Sequence, residues 1–226
     1  MKYLIANWKA QMTLPLVITW VNEFRSLVEK DEQVSSALAD KVFKIIICPP
    51  SPFTLYLKKH LGDAPGIAIG SQSLSPKENG KYTGEVTAEA LSGVVDYSII
   101  GHSERRSHFK ESEEVIKGQI DRAQENGIKQ ILCVRNQQDK LYEGVSMVAY
   151  EPTGAIGTGA NAAVVDVLDM KKQLSIPTNI PFLYGGSVYA ENMTEYLDTG
   201  EVDGFLVGTA SLSAEKFFAM AYKMLE

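Results

Sequence analysis

The sequence predicts an α/β fold, and within that class a (β/α)8 barrel that forms one domain over residues 1–226. Eight short apolar runs recur along the chain, helical stretches separate them, and no linker or low-complexity segment interrupts the series. The runs are continuously apolar, which is typical of parallel strands that are buried on both faces. Eight such units favour a closed barrel. An open, doubly wound sheet is the structural alternative.

The predicted strands are spread along the whole chain. They cover residues 3–6, 43–48, 67–71, 97–101, 130–134, 146–150, 182–184 and 204–207. Apolar periodicity predicts helices over residues 14–28, 51–61, 113–126, 162–175, 190–199 and 214–225. Residues 135–145 leave too little chain for a full crossover helix between the fifth and sixth strands. We expect one helical turn or an irregular link there, and thus a shortened connection.

Composition and charge exclude several classes of protein. Hydrophobic residues make up 45% of the chain and charged residues 22%, as in ordinary globular proteins. The net charge of −6 argues against a nucleic-acid partner. No apolar run has the length of a membrane span, and the apolar part of the amino terminus is too short for a signal peptide, so we expect a cytoplasmic protein. Cys48 and Cys133 end strand-like runs and are expected to be buried free thiols.

The sixth predicted strand ends at a single carboxylate, that of Glu151. Pro152 follows it and ends the strand ladder, because proline has no N–H to donate. Three glycines, at 154, 157 and 159, then predict a loop rich in accessible amides. One interpretation is a catalytic carboxylate under a lid that grips an anion. The other is a strand, a turn and a surface glutamate.

Polar residues also follow the ends of other predicted strands, where a (β/α)8 barrel builds its active site. The residues that we single out are Asn7, Lys9, His102, Glu104, Ser187, Gly208 and Thr209. A lone histidine or lysine of this kind would more often be structural or solvated, so the hypothesis depends on the set. Arg106 is interpreted as part of an exposed charge run at the start of the next helix.

Several motifs resemble those of the triosephosphate isomerase family and occur in that family's order over nearly the whole chain. They are Asn7-Trp8-Lys9, Tyr82-Thr83-Gly84-Glu85, Ile100-Gly101-His102-Ser103-Glu104-Arg105-Arg106, Ala149-Tyr150-Glu151-Pro152, Ala155-Ile156-Gly157-Thr158-Gly159 and Tyr184-Gly185-Gly186-Ser187-Val188. The resemblance implies interconversion of dihydroxyacetone phosphate and D-glyceraldehyde 3-phosphate in glycolysis and gluconeogenesis, with no cofactor and no metal.

The resemblance also implies a role for each matching residue. Glu151 would be the base that moves a proton between two carbons. His102 would donate a hydrogen bond to the enediolate as a neutral imidazole, a role already known for the family. Lys9 would supply a cation, Asn7 would orient the substrate, and Glu104 would anchor Lys9. Backbone N–H groups would hold the phosphate; the candidates are Gly157, Ser187, Gly208 and Thr209.

The chain departs from the family pattern in its lid. The family lid opens Glu-Pro-Val-Trp and the stretch after strand five reads Cys-x-Gly-Glu, whereas Gly154 and Asn136 stand here in place of the Trp and the Glu. Since those two residues touch each other in the family, we interpret their joint loss as one altered lid contact. Thr209 replaces a second glycine after strand eight, and it can bind phosphate only if its φ is not positive.

The resemblance further implies a homo-oligomer, because residues 72–85 match the loop that enters the neighbouring subunit in the family, with Thr83 near the partner's site. A dimer is expected, and the shortened fifth connection is similar to compact members that form tetramers. Two other functions are considered. One is a weakened phosphate-binding barrel with a binding or structural role; the other is a different phosphosugar isomerase or lyase on the same fold.

Overall fold

A computed structural model describes residues 1–152 and 161–225, and in it eight parallel strands form a closed barrel in chain order. The strands are β1 (Lys2–Asn7), β2 (Phe43–Cys48), β3 (Ile67–Ser71), β4 (Tyr97–Ile100), β5 (Lys129–Val134), β6 (Met147–Tyr150), β7 (Phe182–Tyr184) and β8 (Gly204–Val207). β8 pairs with β1, which closes the cylinder. The predicted closed barrel is therefore confirmed, and the open sheet is wrong.

Closure of the barrel depends on Gly204 at the start of β8. Its φ is 153°, and a Cβ atom at this position would collide with the backbone of Tyr3 on β1. Only glycine leaves that space empty, so β8 can approach β1 closely enough to form the last parallel pair.

The described residues include nine α-helices around the barrel. They are α1 (Leu14–Lys30), α2 (Glu32–Ala39), α3 (Thr54–Leu61), α4 (Ala88–Leu91), α5 (Ser103–His108), α6 (Glu113–Glu125), α7 (Val164–Gln173), α8 (Thr194–Leu197) and α9 (Ala214–Lys223). Asp31 separates α1 from α2 because its carboxylate caps α2, accepting from the N–H groups of Gln33 and Val34. The helix predicted over 190–199 is shorter than expected, and α2, α4 and α5 were not predicted.

The link between β5 and β6 contains turns and no helix, as the short sequence there predicted. Tyr142 lies in this link and is buried, and its hydroxyl donates to the backbone oxygen and carboxylate of Glu113 at the start of α6. The link thus packs against α6 in place of a helix.

The core has two parts. One fills the barrel interior with side chains such as Ile5, Ile99 and Leu206, and it includes the buried thiols of Cys48 and Cys133, as expected. The other lies between the strands and the helices, where Trp8 and Trp20 pack edge to face. Both indole N–H groups donate to the Ser211 carbonyl, which ties β1 and α1 to the turn after β8. No helix among the described residues is long and apolar enough to span a membrane.

Candidate active site

Lys9 follows β1 in a left-handed backbone conformation, with φ at 51°. This conformation is unfavourable for a residue with a side chain, so its neighbours must hold it. The Asn7 side chain accepts a hydrogen bond from the Lys9 N–H at 3.1 Å, and the Gln72 amide donates to the Lys9 carbonyl at 2.8 Å. The conformation turns Lys9 toward the carboxyl end of the barrel, where a Cβ on Gly208 would lie 3.4 Å from its Cε.

His102 and Glu151 form a buried pair between the ends of β4 and β6. The imidazole Nε2 lies 2.7 Å from Glu151 Oε1, and the two residues are 5% and 2% exposed. Glu151 Oε2 accepts from the Ser103 N–H at 3.1 Å. His102 also caps α5, because its Nδ1 accepts from the Glu104 N–H at 3.2 Å. An acceptor nitrogen carries no proton, so the ring's proton lies on Nε2 and points at Glu151.

Charge and burial act in opposite directions on this pair. Burial by itself raises the pKa of Glu151, but His102, the Ser103 N–H and Lys9 together bring that pKa below its ordinary value. Burial lowers the pKa of His102, and the Glu151 carboxylate reverses this and raises it above the ordinary value. Glu151 is therefore an ionised carboxylate at neutral pH, in contact with an imidazole N–H.

Lys9 and Glu104 form an ion pair at the edge of this site, with Nζ and Oε1 2.8 Å apart. The Glu104 side chain is more exposed than that of Lys9, so the pair lies between the buried imidazole and solvent. The barrel therefore brings together all five residues predicted for the chemistry, Asn7, Lys9, His102, Glu104 and Glu151, from the ends of three strands.

The predicted phosphate-binding residues lie at the ends of β7 and β8, apart from Gly157, which falls outside the described residues. Gly185 follows β7, and a Cβ there would lie 3.0 Å from Glu151 Cγ, so this turn borders the carboxylate directly. Ser187 comes two residues later. Gly208 follows β8, and Thr209 begins a short 3-10 turn over Thr209–Leu212. The φ of Thr209 is not positive, as its backbone N–H requires in order to bind phosphate.

Arg106 corrects the sequence interpretation, because it is 7% exposed and lies between β4 and β5. Its guanidinium donates to the carbonyls of Gly101 at 2.8 Å and Cys133 at 3.4 Å, and it pairs with Glu113 at 2.5 Å. The prediction that Arg106 belongs to an exposed charge run was therefore wrong. Gly101 has a φ of 68° and no side chain, and this leaves room for the Arg106 guanidinium.

Asp139, in the link after β5, was missed by sequence reasoning. It is buried, lies 3.8 Å from the Arg106 guanidinium, and accepts from Arg135 through both the side chain and the backbone N–H. Burial raises the pKa of Asp139, but its hydrogen bonds with Arg135 lower it below the ordinary value. The four-residue spacing of Arg135 and Asp139 was the feature of the sequence that could have predicted this ion pair.

Cys133, at the end of β5, was also missed as a neighbour of the site. Burial, and then the adjacent Glu151 carboxylate, raise the pKa of its thiol well above the usual range, so the thiol stays protonated beside the carboxylate. Among residues 1–152 and 161–225, no three His, Cys, Asp or Glu side chains are grouped closely enough to hold a metal ion.

The closed barrel and this group of side chains define a (β/α)8 protein with a carboxylate, an imidazole and an ammonium at the carboxyl ends of its strands. The family model for triosephosphate isomerase matches residues 2–224. A triosephosphate isomerase of Alkaliphilus metalliredigens is 34% identical, over 95% of this chain and 96% of the relative. One of Aquifex aeolicus is 33% identical, over 98% of both chains. The chain belongs to the triosephosphate isomerase family.

A solved structure extends this similarity to three dimensions. The crystal structure of a triosephosphate isomerase from Bartonella henselae matches with a TM-score of 0.79 and 25% identity, over 98% of this chain and 99% of that one.

Proposed function

We propose that this protein interconverts dihydroxyacetone phosphate and D-glyceraldehyde 3-phosphate by moving one proton between C1 and C2, in the cytoplasm and within glycolysis and gluconeogenesis. The observation that carries the proposal is the contact of Glu151 with His102 at 2.7 Å, beside the Lys9 ammonium. A carbon acid next to a carbonyl needs a base for the proton and donors for the oxygen that becomes negative, and these three side chains supply both.

Glu151 would take the proton from the first carbon as the substrate oxygen gains negative charge. The resulting carboxylic acid would return the proton to the neighbouring carbon, so the base is regenerated. In the structure Glu151 accepts from His102 and the Ser103 N–H, and substrate would have to replace these partners. Its pKa, held low by those partners, would rise as they are exchanged for an apolar carbon, which makes it a stronger base.

His102 would donate a hydrogen bond from Nε2–H to the oxygens of the enediolate, and the hydroxyl proton would pass from one of these oxygens to the other through Nε2, so the ring ends neutral. The Glu104 N–H at Nδ1 supports a neutral ring, since a protonated Nδ1 has no lone pair to accept that hydrogen bond. Lys9 would add a positive charge next to the same oxygens, and Asn7 would act through the Lys9 backbone that it holds. Glu104 would anchor the Lys9 ammonium at 2.8 Å.

The phosphate would lie on the backbone N–H groups of Ser187, Gly208 and Thr209, and of Gly157. Support comes from the position of the turns that follow β7 and β8, because loops after the last strands are the usual phosphate site of this architecture. Lys9 borders Gly208, so the same side chain can face both the phosphate and the reacting oxygens.

A lid over residues 152–162 would protect the enediolate from phosphate elimination. Residues 153–160 are outside the described part of the chain, but the end of the segment is anchored: the Ala162 N–H donates to the Tyr184 hydroxyl at 2.8 Å, and the Tyr196 hydroxyl donates to the Ala162 carbonyl. Asn136, which stands where the family has a glutamate, accepts from the Gln138 N–H and so caps its own turn. This supports an altered lid contact.

Isomerisation of glyceraldehyde 3-phosphate by the wild type and by Glu151→Gln tests the proposal, with released inorganic phosphate followed in the same samples. Loss of activity in the variant by about 10²–10⁴-fold would support Glu151 as the base. Phosphate release during turnover would support the altered lid. A wild type that binds a phosphorylated analogue but does not isomerise it would overturn the proposal and favour a phosphate-binding barrel with a structural role.

We also propose that the chain assembles as a homodimer, with a tetramer as the alternative. Residues 77–86, which include Thr83, are exposed, and Tyr82 is 44% exposed. A cavity of about 380 Å³ lies between this loop and the ends of α5 and α6, where Phe109 is also exposed. Light scattering at micromolar concentration should give at least twice the chain mass of 24.8 kDa, and a monomer would contradict the proposal.

A further inference from the structure

A second cavity, of about 370 Å³, opens at the amino end of the barrel. Lys44 of β2, Tyr97 of β4 and Lys129 of β5 line it from the starts of their strands, and Lys58 lines it from α3. Since all eight strands are parallel, this cavity lies at the opposite end of the barrel from Lys9 and Glu151. The volume is within the range of small-molecule sites in proteins.

The charges around this cavity are unbalanced. Asp96 is the carboxylate that lines it, and it lies 3.9 Å from the Lys58 ammonium. Lys44 and Lys129 make no ion pair with any residue in the described ranges, although the chain as a whole carries a net charge of −6. Their ammonium groups lie 5.9 and 5.5 Å from the centre of the same ring, that of Tyr97. Two like charges around one ring repel each other, and a bound anion would offset that repulsion.

Tyr97 supplies an independent observation. The residue is 2% exposed and lines the cavity, and its hydroxyl makes no hydrogen bond with residues 1–152 or 161–225. The hydroxyl oxygen is not one of the fully buried polar atoms that lack a partner, so it is open to the cavity, where a ligand can accept its hydrogen bond. Burial, with Tyr3 and Asp96 nearby, raises the pKa of Tyr97 to about 12, so the hydroxyl keeps its proton at neutral pH and can donate it.

We propose that this cavity is a binding site for a small polyvalent anion, a phosphoester or a polycarboxylate, held by Lys44, Lys58 and Lys129 and by the Tyr97 hydroxyl. Two unpaired ammonium groups match a ligand with two or more negative charges. The site involves none of the residues proposed for isomerisation, so it stands independently of the proposed function.

Isothermal titration of the full chain with pyrophosphate, and separately with citrate, tests this site at low ionic strength. We expect one anion per chain at this cavity, in addition to any anion at the proposed phosphate site, which Lys9→Gln distinguishes, and its affinity should fall as salt is added. Whichever of the two anions binds more tightly shows whether the site prefers phosphate groups or carboxylate groups. The Lys44→Gln/Lys129→Gln double variant should bind at least about tenfold more weakly, since tenfold corresponds to the loss of one modest charge interaction.

Two further variants keep the test specific. Lys59→Gln removes an exposed charge from the same helix as Lys58 without touching the cavity, and it should leave the affinity unchanged within about twofold. Lys9→Gln detects anions that bind at the opposite end of the barrel, because only their affinity should fall in this variant. The affinity of the amino-end cavity for the anion should stay unchanged.

Tyr97→Phe removes only the hydroxyl and should weaken binding several-fold while thermal unfolding stays cooperative. The proposal is overturned if millimolar pyrophosphate and citrate both fail to bind the wild type. It is also overturned if the double variant binds as the wild type does, or if Lys9→Gln abolishes binding.

Discussion

Arg106→Lys is the substitution that most directly tests how the candidate site is supported. The guanidinium reaches two backbone carbonyls at once, that of Gly101 before His102 and that of Cys133 at the end of β5. Lysine keeps the positive charge but has a single nitrogen, and when that nitrogen pairs with Glu113 both carbonyls lose their donor. The variant should therefore fold with weakened support under the site.

The expected cost follows from the contacts that are lost. The hydrogen bond to Gly101 is short, at 2.8 Å, and a buried bond from a charged donor contributes about 1.5–3 kcal/mol. The bond to Cys133 is long, at 3.4 Å, and contributes roughly 0.5–1 kcal/mol. Arg106→Lys should thus lower the free energy of unfolding by about 2–4 kcal/mol.

Urea denaturation gives this number, provided that the slope with denaturant is the same in both proteins. Arg25→Lys is the matched control, because Arg25 makes one ion pair at 3.8 Å with an exposed side chain, and it should cost at most about 0.5 kcal/mol. A cost below about 1 kcal/mol for Arg106→Lys would refute the argument that its two carbonyl bonds support the site.

Two other predictions concern residues beside the site. The pKa of Asp139 is low in the folded state, so its contribution to stability is present above its ordinary pKa, near 4, and is lost as the pH falls through the folded value. Asp139→Asn should therefore have a lower free energy of unfolding than the wild type in urea at pH 7. The difference between the two proteins should become smaller below about pH 4, and a difference that does not change with pH would contradict this prediction. Gly185→Ala places a methyl group 3.0 Å from Glu151 Cγ and should reduce isomerisation about 10–100-fold by displacing the carboxylate, with stability nearly unchanged. Unaltered turnover in that variant would show that Glu151 is not confined by this turn.

Much of the fold and of the candidate site could be predicted from the sequence, because both depend on features of short, continuous segments. Buried parallel strands need continuous apolar runs, so each run marks a strand, and the number of runs favours a closed barrel. Because every parallel strand ends at the same edge, residues that follow separate strands, such as Lys9, His102 and Glu151, were expected to meet. The absence of a helix between β5 and β6 follows from the short length of that link.

Contacts that depend on distance across the fold could not be predicted in the same way. Arg106 has the sequence context of a helix surface, yet it is buried because Gly101 leaves space for it and because Asp139, far along the chain, turns back toward it. The amino-end cavity likewise combines Lys44, Tyr97 and Lys129, which no short motif connects. The sequence alone therefore determined the order of the strands and the residues at their ends. The tertiary structure decided which charges are buried and paired, because burial and pairing depend on neighbours that only closure of the barrel brings together.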